Sequence, residues 1–111
     1  MTELHKIKCV GCEGGIAALT QEQVKQYLAQ VNHWKVSEDA KRITKRFAFK
    51  DFYHTMAFVN AVAWISNQEN HHPDMEVGYN YCTVNYMTHA VKGLTQNDFI
   101  CAAKVDALEA L

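Results

Sequence analysis

From Phe52 to Ile65 apolar residues occupy so much of a helical circumference that the helix they form requires cover on more than one side. Phe52, Met56, Val59 and Ala63 make one stripe at helical spacing, and Phe58, Val62 and Ile65 widen it. Asp51 stands where such a helix needs an N-cap. The chain around it has 111 residues and a single proline, enough for one core and too few for two ordinary domains. Residues 1–111 therefore read as one domain, with 1–18 as an irregular lead-in carrying the glycine-rich run Cys9-Val10-Gly11-Cys12-Glu13-Gly14-Gly15.

The remaining elements follow from local patterns. Thr20 and Gln23 form a capping-box pair ahead of Val24, Tyr27, Leu28 and Val31, which predicts a helix from about Thr20 to Val31. Trp34 to Ser37, a turn at Glu38-Asp39-Ala40, and Arg42 to Phe49 predict a hairpin with Ile43, Phe47 and Phe49 on one side. After the helix headed by Asp51 come the Glu69 to Pro73 loop, a strand at Met75 to Val77, a turn at Gly78 and a β-rich run from Tyr81 to Thr88. In that run Tyr81, Thr83, Asn85 and Met87 face one way and Cys82, Val84 and Tyr86 the other. Gly93 marks a turn, and Thr95 with Asp98 opens a last helix through Phe99, Ala103 and Leu108. The order α-β-β-α-β-β-α predicts an α+β domain, a four-stranded antiparallel sheet with three helices on one face. The other sheet face is left for a ligand or a subunit.

Charge excludes several function classes. Eleven basic residues against twelve acidic ones leave a formal charge of −1, which points to neither nucleic acid nor an anionic membrane. Lys41, Arg42, Lys45, Arg46 and Lys50 cluster locally and are read as a solvated strand face. Met1 to Val10 lacks the apolar core of a signal peptide, and the longest apolar stretches are broken at Asn60 and Ser66, so a cytoplasmic protein without a membrane span is expected. Cys9, Cys12, Cys82 and Cys101 are then reduced thiols, the last two as small core residues. Cys9 and Cys12 have ligand spacing and His5 lies near, but a structural zinc site wants four ligands and no second close pair exists. An ordinary thiol-bearing loop and no metal are expected; the alternative is a site completed across a subunit interface.

His71, His72 and His89 carry the chemistry. Two precede Pro73, and the third ends a strand-like run. Imidazole titrates near neutrality, so the cluster suggests proton transfer or metal binding. Pro73 disfavours a helical His72 and pushes Asn70-His71-His72 toward an extended path, on which neighbouring side chains diverge. Diverging imidazoles are awkward joint ligands for one ion and well placed to grip two edges of a flat molecule. Tyr79, Tyr81 and Tyr86 could stack on such a heterocycle. His5, His33 and His54 are read as ordinary solvated or satisfied residues.

Glu69-Asn70-His71-His72-Pro73, the run ending Met87-Thr88-His89, Lys92-Gly93-Leu94 and Asn97-Asp98-Phe99 together resemble the pterin-4a-carbinolamine dehydratases. The likeness starts weakly near Leu19, includes Trp34 and Lys50-Asp51-Phe52, and is strongest from Glu69 to Phe99. The lead-in looks like that of bacterial members associated with phenylalanine hydroxylation. The resemblance implies dehydration of 4a-hydroxytetrahydrobiopterin to quinonoid dihydrobiopterin, with the pterin as substrate and no cofactor or metal. It places pterin contacts on Asn70, His71, His72, Met87, Thr88, His89 and Ala90, and matches the family's later aspartate to Asp98. The histidines become the catalytic set, His71 and His89 as the acid-base pair and His72 as the residue orienting the pterin. The chain departs from the family at Asn67, where some members carry an acid, and at Met75, where an aromatic is frequent; Glu69 is the acid nearby. A homodimer or homotetramer and a functional link to phenylalanine hydroxylase are implied as well. Two other classes compete: a protein-binding regulator or transcriptional dimerisation cofactor, and a metal or thiol module built on Cys9 and Cys12. A complete histidine set is what an interaction protein would not need.

Overall fold

The computed structural model describes residues 3–11 and 16–108. Helix α1 spans Gln21–Leu28, strand β1 Lys35–Val36, strand β2 Ile43–Ala48, helix α2 Phe52–Glu69, strand β3 Asp74–Val77, strand β4 Tyr81–Tyr86 and helix α3 Gln96–Asp106. All strand pairs are antiparallel, in the order β1-β2-β4-β3. The order and class match the expected α-β-β-α-β-β-α domain.

The caps explain where the helices start. Thr20 Oγ1 accepts from the Gln23 N–H while the Gln23 side chain accepts from the Thr20 N–H. Asp51 Oδ1 accepts from the His54 N–H at 2.8 Å, a cap worth about 1 kcal/mol. α1 stops at Leu28, three residues short of the sequence expectation, because Gln30 and Val31 turn back through bonds to Tyr27 and Leu28 carbonyls. Likewise α3 ends at Asp106, and Leu108 packs on the core from beyond it.

On β4, Cys82, Val84 and Tyr86 are buried and face the helices. Ile43, Phe58, Val62, Phe99 and Ile100 meet them in one core, with Phe47 tilted against Phe58 at 4.6 Å between ring centres. The strand itself ends at Tyr86, short of Thr88, where a separate bridge to Gly93 takes over. Gly78 is required at its turn, since a Cβ there would sit 2.0 Å from the Tyr81 ring.

Three expectations need correction. The buried stripe of α2 is Thr55, Phe58 and Val62, whereas Phe52 is exposed and Met56, Val59 and Ala63 are at most half-buried. Thr55 can lie inside because its single hydroxyl proton is shared between the carbonyls of Asp51 and Tyr79, each 2.9 Å away. The basic cluster is not uniformly solvated: Lys45 turns inward, 2.7 Å from Asp106 and over the Phe47 ring at 4.8 Å. The lead-in is more than an irregular approach, for Leu4 is buried in the core on a 3-10 turn (Leu4–Lys6), and Ile7 and Cys9 pack against it.

Candidate active site

α2 ends at Glu69 because Asn70 adopts the left-handed conformation (φ 51°, ψ 41°), which asparagine tolerates better than most residues. The N–H groups of Asn70 and His71 both return to the Ser66 carbonyl. Asn70 is therefore a helix cap rather than part of the expected extended path. That turn swings His71 inward, its side chain 11% exposed, and leaves His72 exposed. Pro73 behind them is buried.

His71 meets a carboxylate from another element. Its Nε2 lies 2.7 Å from Oδ1 of Asp98, whose side chain is fully buried. The other oxygen, Oδ2, accepts from the Thr88 hydroxyl at 2.7 Å and from the Thr95 N–H at 3.0 Å. Because the Thr88 proton goes to Asp98, the Thr95 hydroxyl, 2.8 Å away, donates to Thr88. A carboxylate so supplied with donors fixes the proton of neutral His71 on Nε2 and leaves Nδ1 as its free lone pair. The His71 ring is stacked on Tyr86, nearly parallel at 5.9 Å. Burial pushes the Tyr86 phenol far above its ordinary range, so it supports the imidazole as a neutral ring.

Facing this pair is the turn His89–Val91, a single 3-10 turn closed at its base by the Thr88–Gly93 bridge. Left-handed Lys92 reverses the chain there. The turn holds His89 and Ala90 exposed beside Met87. Between the two walls lies a cavity of about 360 Å³, lined by Asn70, His71, His72, Met87, Thr88, His89 and Ala90, the seven positions singled out in the sequence. His72 makes only a long contact, Nδ1 to the Pro73 carbonyl at 3.4 Å.

The cavity has a third wall that sequence reasoning missed, formed by Lys8 to Gly11 of the lead-in together with Gln68, Glu69 and Asn97. Asn97 holds the lead-in as a neighbouring strand would: its Nδ2 donates to the Val10 carbonyl at 2.6 Å and its Oδ1 accepts from the Val10 N–H at 3.0 Å. Glu69 Oε1 accepts from the Cys9 N–H at 2.8 Å, and Oε2 faces Lys104 at 3.7 Å. Burial alone would raise the Glu69 pKa, but the Cys9 N–H and the charges of Lys104 and Lys8 outweigh it and hold it below its ordinary value. Glu69 and Asn97 stand in the motifs that carry the family resemblance, but nothing in the sequence links them to residues 8–11 of the lead-in. A somewhat larger hollow, about 440 Å³, opens beside Glu3, His5, Gln30 and Asn32, yet its buried carboxylate, Asp106, is already bonded to Trp34, Asn32 and Lys45.

The family described as Pterin 4 alpha carbinolamine dehydratase matches residues 17–108, which takes in every element of the sheet and the three helices. The chain belongs to that family. A dehydratase of this name from Legionella pneumophila (strain Corby) is 61% identical over 108 residues, covering 96% of each chain. Another from Nitrosomonas eutropha is 57% identical over 107 residues, covering 96% of this chain and 93% of the relative. Among solved structures, the transcriptional coactivator/pterin dehydratase from Brucella melitensis superposes with a TM-score of 0.77 at 30% identity, over 81% of this chain and 96% of that one. A pterin dehydratase-like protein described as a RuBisCO assembly factor in the alpha-carboxysome superposes with a TM-score of 0.60 at 28% identity, over 69% and 89%.

Among the described residues no group of three or more His, Cys, Asp or Glu side chains could hold a metal ion; Cys12, half of the Cys9/Cys12 spacing, lies outside them. No helix among them is long and apolar enough to cross a membrane.

Proposed function

We propose that this chain is a hydro-lyase that dehydrates 4a-hydroxytetrahydrobiopterin, the pterin-4a-carbinolamine, to quinonoid dihydrobiopterin and water. The observation that carries this reading is the Asp98–His71 pair set in the wall of a cavity that His72 and His89 also line. Family membership and relatives bearing the dehydratase name support it.

The reaction needs one base and one acid. His71 Nδ1 takes the proton from the ring nitrogen next to the hydroxyl-bearing carbon, and the freed pair forms the carbon–nitrogen double bond as the carbon–oxygen bond breaks. Asp98 stabilises the imidazolium that results, because it is buried and cannot drift away. His89, exposed on its turn, protonates the departing hydroxyl, which leaves as water. His72 orients the pterin with Asn70, Met87, Thr88 and Ala90. General acid-base catalysis of this kind contributes about 10²–10⁴-fold. No metal or further cofactor takes part.

In this reading the product feeds the recycling of tetrahydrobiopterin for aromatic amino acid hydroxylation in the cytoplasm, with phenylalanine hydroxylase as the linked enzyme. The exposed apolar side chains of α2, Phe52, Tyr53 and Trp64, are then covered in a homodimer or homotetramer. Light scattering reads that directly, and a single-chain mass across a wide concentration range would contradict it. The same face would suit a protein-binding role such as the coactivator named for the Brucella protein. The buried Asp98–His71 pair supports the dehydratase reading, since binding a protein does not call for it. A dehydration assay with synthetic carbinolamine tests the proposal: the purified chain accelerates loss of water well above the buffer rate, and no acceleration would overturn it.

A further inference from the structure

Cys9 of the lead-in and Cys101 of α3 meet sulfur to sulfur at 3.6 Å, although 92 positions separate them in the chain. Both are free thiols. We propose that this pair is a redox modification site, at which a peroxide drives formation of a Cys9–Cys101 disulfide that ties the lead-in to α3 beside the cavity. The inference is independent of the dehydration reading, because its readouts are thiol count and peptide mass.

Geometry and exposure assign the two roles. The sulfurs are in contact, and a disulfide, with its bond of about 2 Å, asks them to close by roughly another 1.5 Å. Cys101 sits in a helix and is fully buried, so it does not move readily. Cys9 can: its segment is held by bonds from Glu69 and Asn97 side chains rather than by a sheet. Cys9 is also half-buried and lines the cavity, which gives a small oxidant its route in. The contact with Cys9 and burial together push the Cys101 thiol far above its ordinary range, so it stays protonated at neutrality. Cys9 is therefore oxidised first and Cys101 resolves it.

The step balances with a peroxide as the two-electron oxidant. Hydrogen peroxide converts the Cys9 thiol to a sulfenic acid and releases one water. The Cys101 sulfur then displaces the sulfenic hydroxyl, which leaves with the Cys101 proton as a second water. Two S–H bonds are lost, one S–S bond forms, and the peroxide is reduced. Resolution by a protonated thiol is slow, so the closing step quickens as pH rises. The tie crosses the third cavity wall: Cys101 lies one turn after Asp98, its thiol directed at the His71 carbonyl at 4.0 Å, and Cys9 is followed by Val10 and Gly11 of the lining.

The test is peroxide titration of the reduced full-length chain, followed by alkylation, digestion and mass spectrometry. The expected result is one cross-linked peptide pair joining Cys9 to Cys101, with two thiols lost per chain and regained on dithiothreitol. The link persists in Cys12→Ser and Cys82→Ser and is absent in Cys9→Ser, each variant verified as folded. A Cys9–Cys12 link, a link between two chains, loss of the link in folded Cys12→Ser, or oxidised Cys9 with Cys101 still open to alkylation after denaturation would each overturn the proposal.

Discussion

His71 is nearly enclosed, its Nε2 held 2.7 Å from a carboxylate with no exposure of its own, while His89 stands exposed on a three-residue turn across the cavity and His72, next to His71 in the chain, is exposed with one long contact. One residue type thus occurs in one site in two settings. The built setting fixes a proton and a ring plane and is suited to the same transfer every turnover. The open setting exchanges with solvent and adjusts to what binds. The difference teaches that the adjacent histidines, indistinguishable as a dipeptide, are separated by the left-handed turn at Asn70 that sends one inward and the other out.

The largest effect is expected at the built wall. His71→Ala should lower turnover by about 10²–10³-fold, and His89→Ala by about 10–10³-fold, with a smaller loss for His89 if buffer acids reach the exposed position. A stronger loss in His89→Ala, unrelieved by added buffer, would reverse the ranking of the two walls. Asp98→Asn comes next. It keeps the shape but removes the charge that holds the proton of His71 on Nε2, and turnover should fall by about 10–10²-fold as the pH profile shifts. Because the amide cannot accept every bond that the carboxylate accepts, the fold should also lose about 1–3 kcal/mol, read by urea unfolding.

His72→Ala should act on pterin affinity, raising KM several-fold with kcat within about twofold of the parent. A kcat loss matching that of His71→Ala would show that the exposed and built positions are not distinct. The smallest expected effect lies at the third wall. The folded-state pKa of Glu69 is held below the ordinary 4.5, so its carboxylate contributes stability that is present above the unfolded value and lost as pH falls through the folded one. Acid below about pH 4.5 should therefore loosen the lead-in, and Glu69→Gln should flatten that dependence, measured by hydrogen exchange at Cys9 and Val10.

Much of this was legible in the sequence, and the exceptions share a cause. Thr20/Gln23, Asp51 and Thr95/Asp98 announce helix starts because capping is local. The alternation of Cys82, Val84 and Tyr86 fixes the buried side of β4 for the same reason. What stays hidden is a second use of a residue at long range. Asp98 is recognisable as a cap and as a family position, but that it also meets His71, 27 residues away, depends on how α3 docks beside the end of α2. The Asn97 grip on Val10, 87 residues distant, is hidden likewise. On α2 the sequence offers two apolar faces, and only the placement of β4 and the Thr55 hydroxyl bonds select Thr55, Phe58 and Val62 over Phe52, Met56, Val59 and Ala63.

The most direct test of the acid-base account is single-turnover dehydration of chemically generated carbinolamine by the parent, His71→Ala, His89→Ala and the double variant, each verified as folded. Two groups sharing one step act as a unit, so the double variant should be less impaired than the product of the two single effects, and all three should be slowed by at least about 10-fold. A folded double variant that dehydrates the carbinolamine at the parent rate would contradict the account.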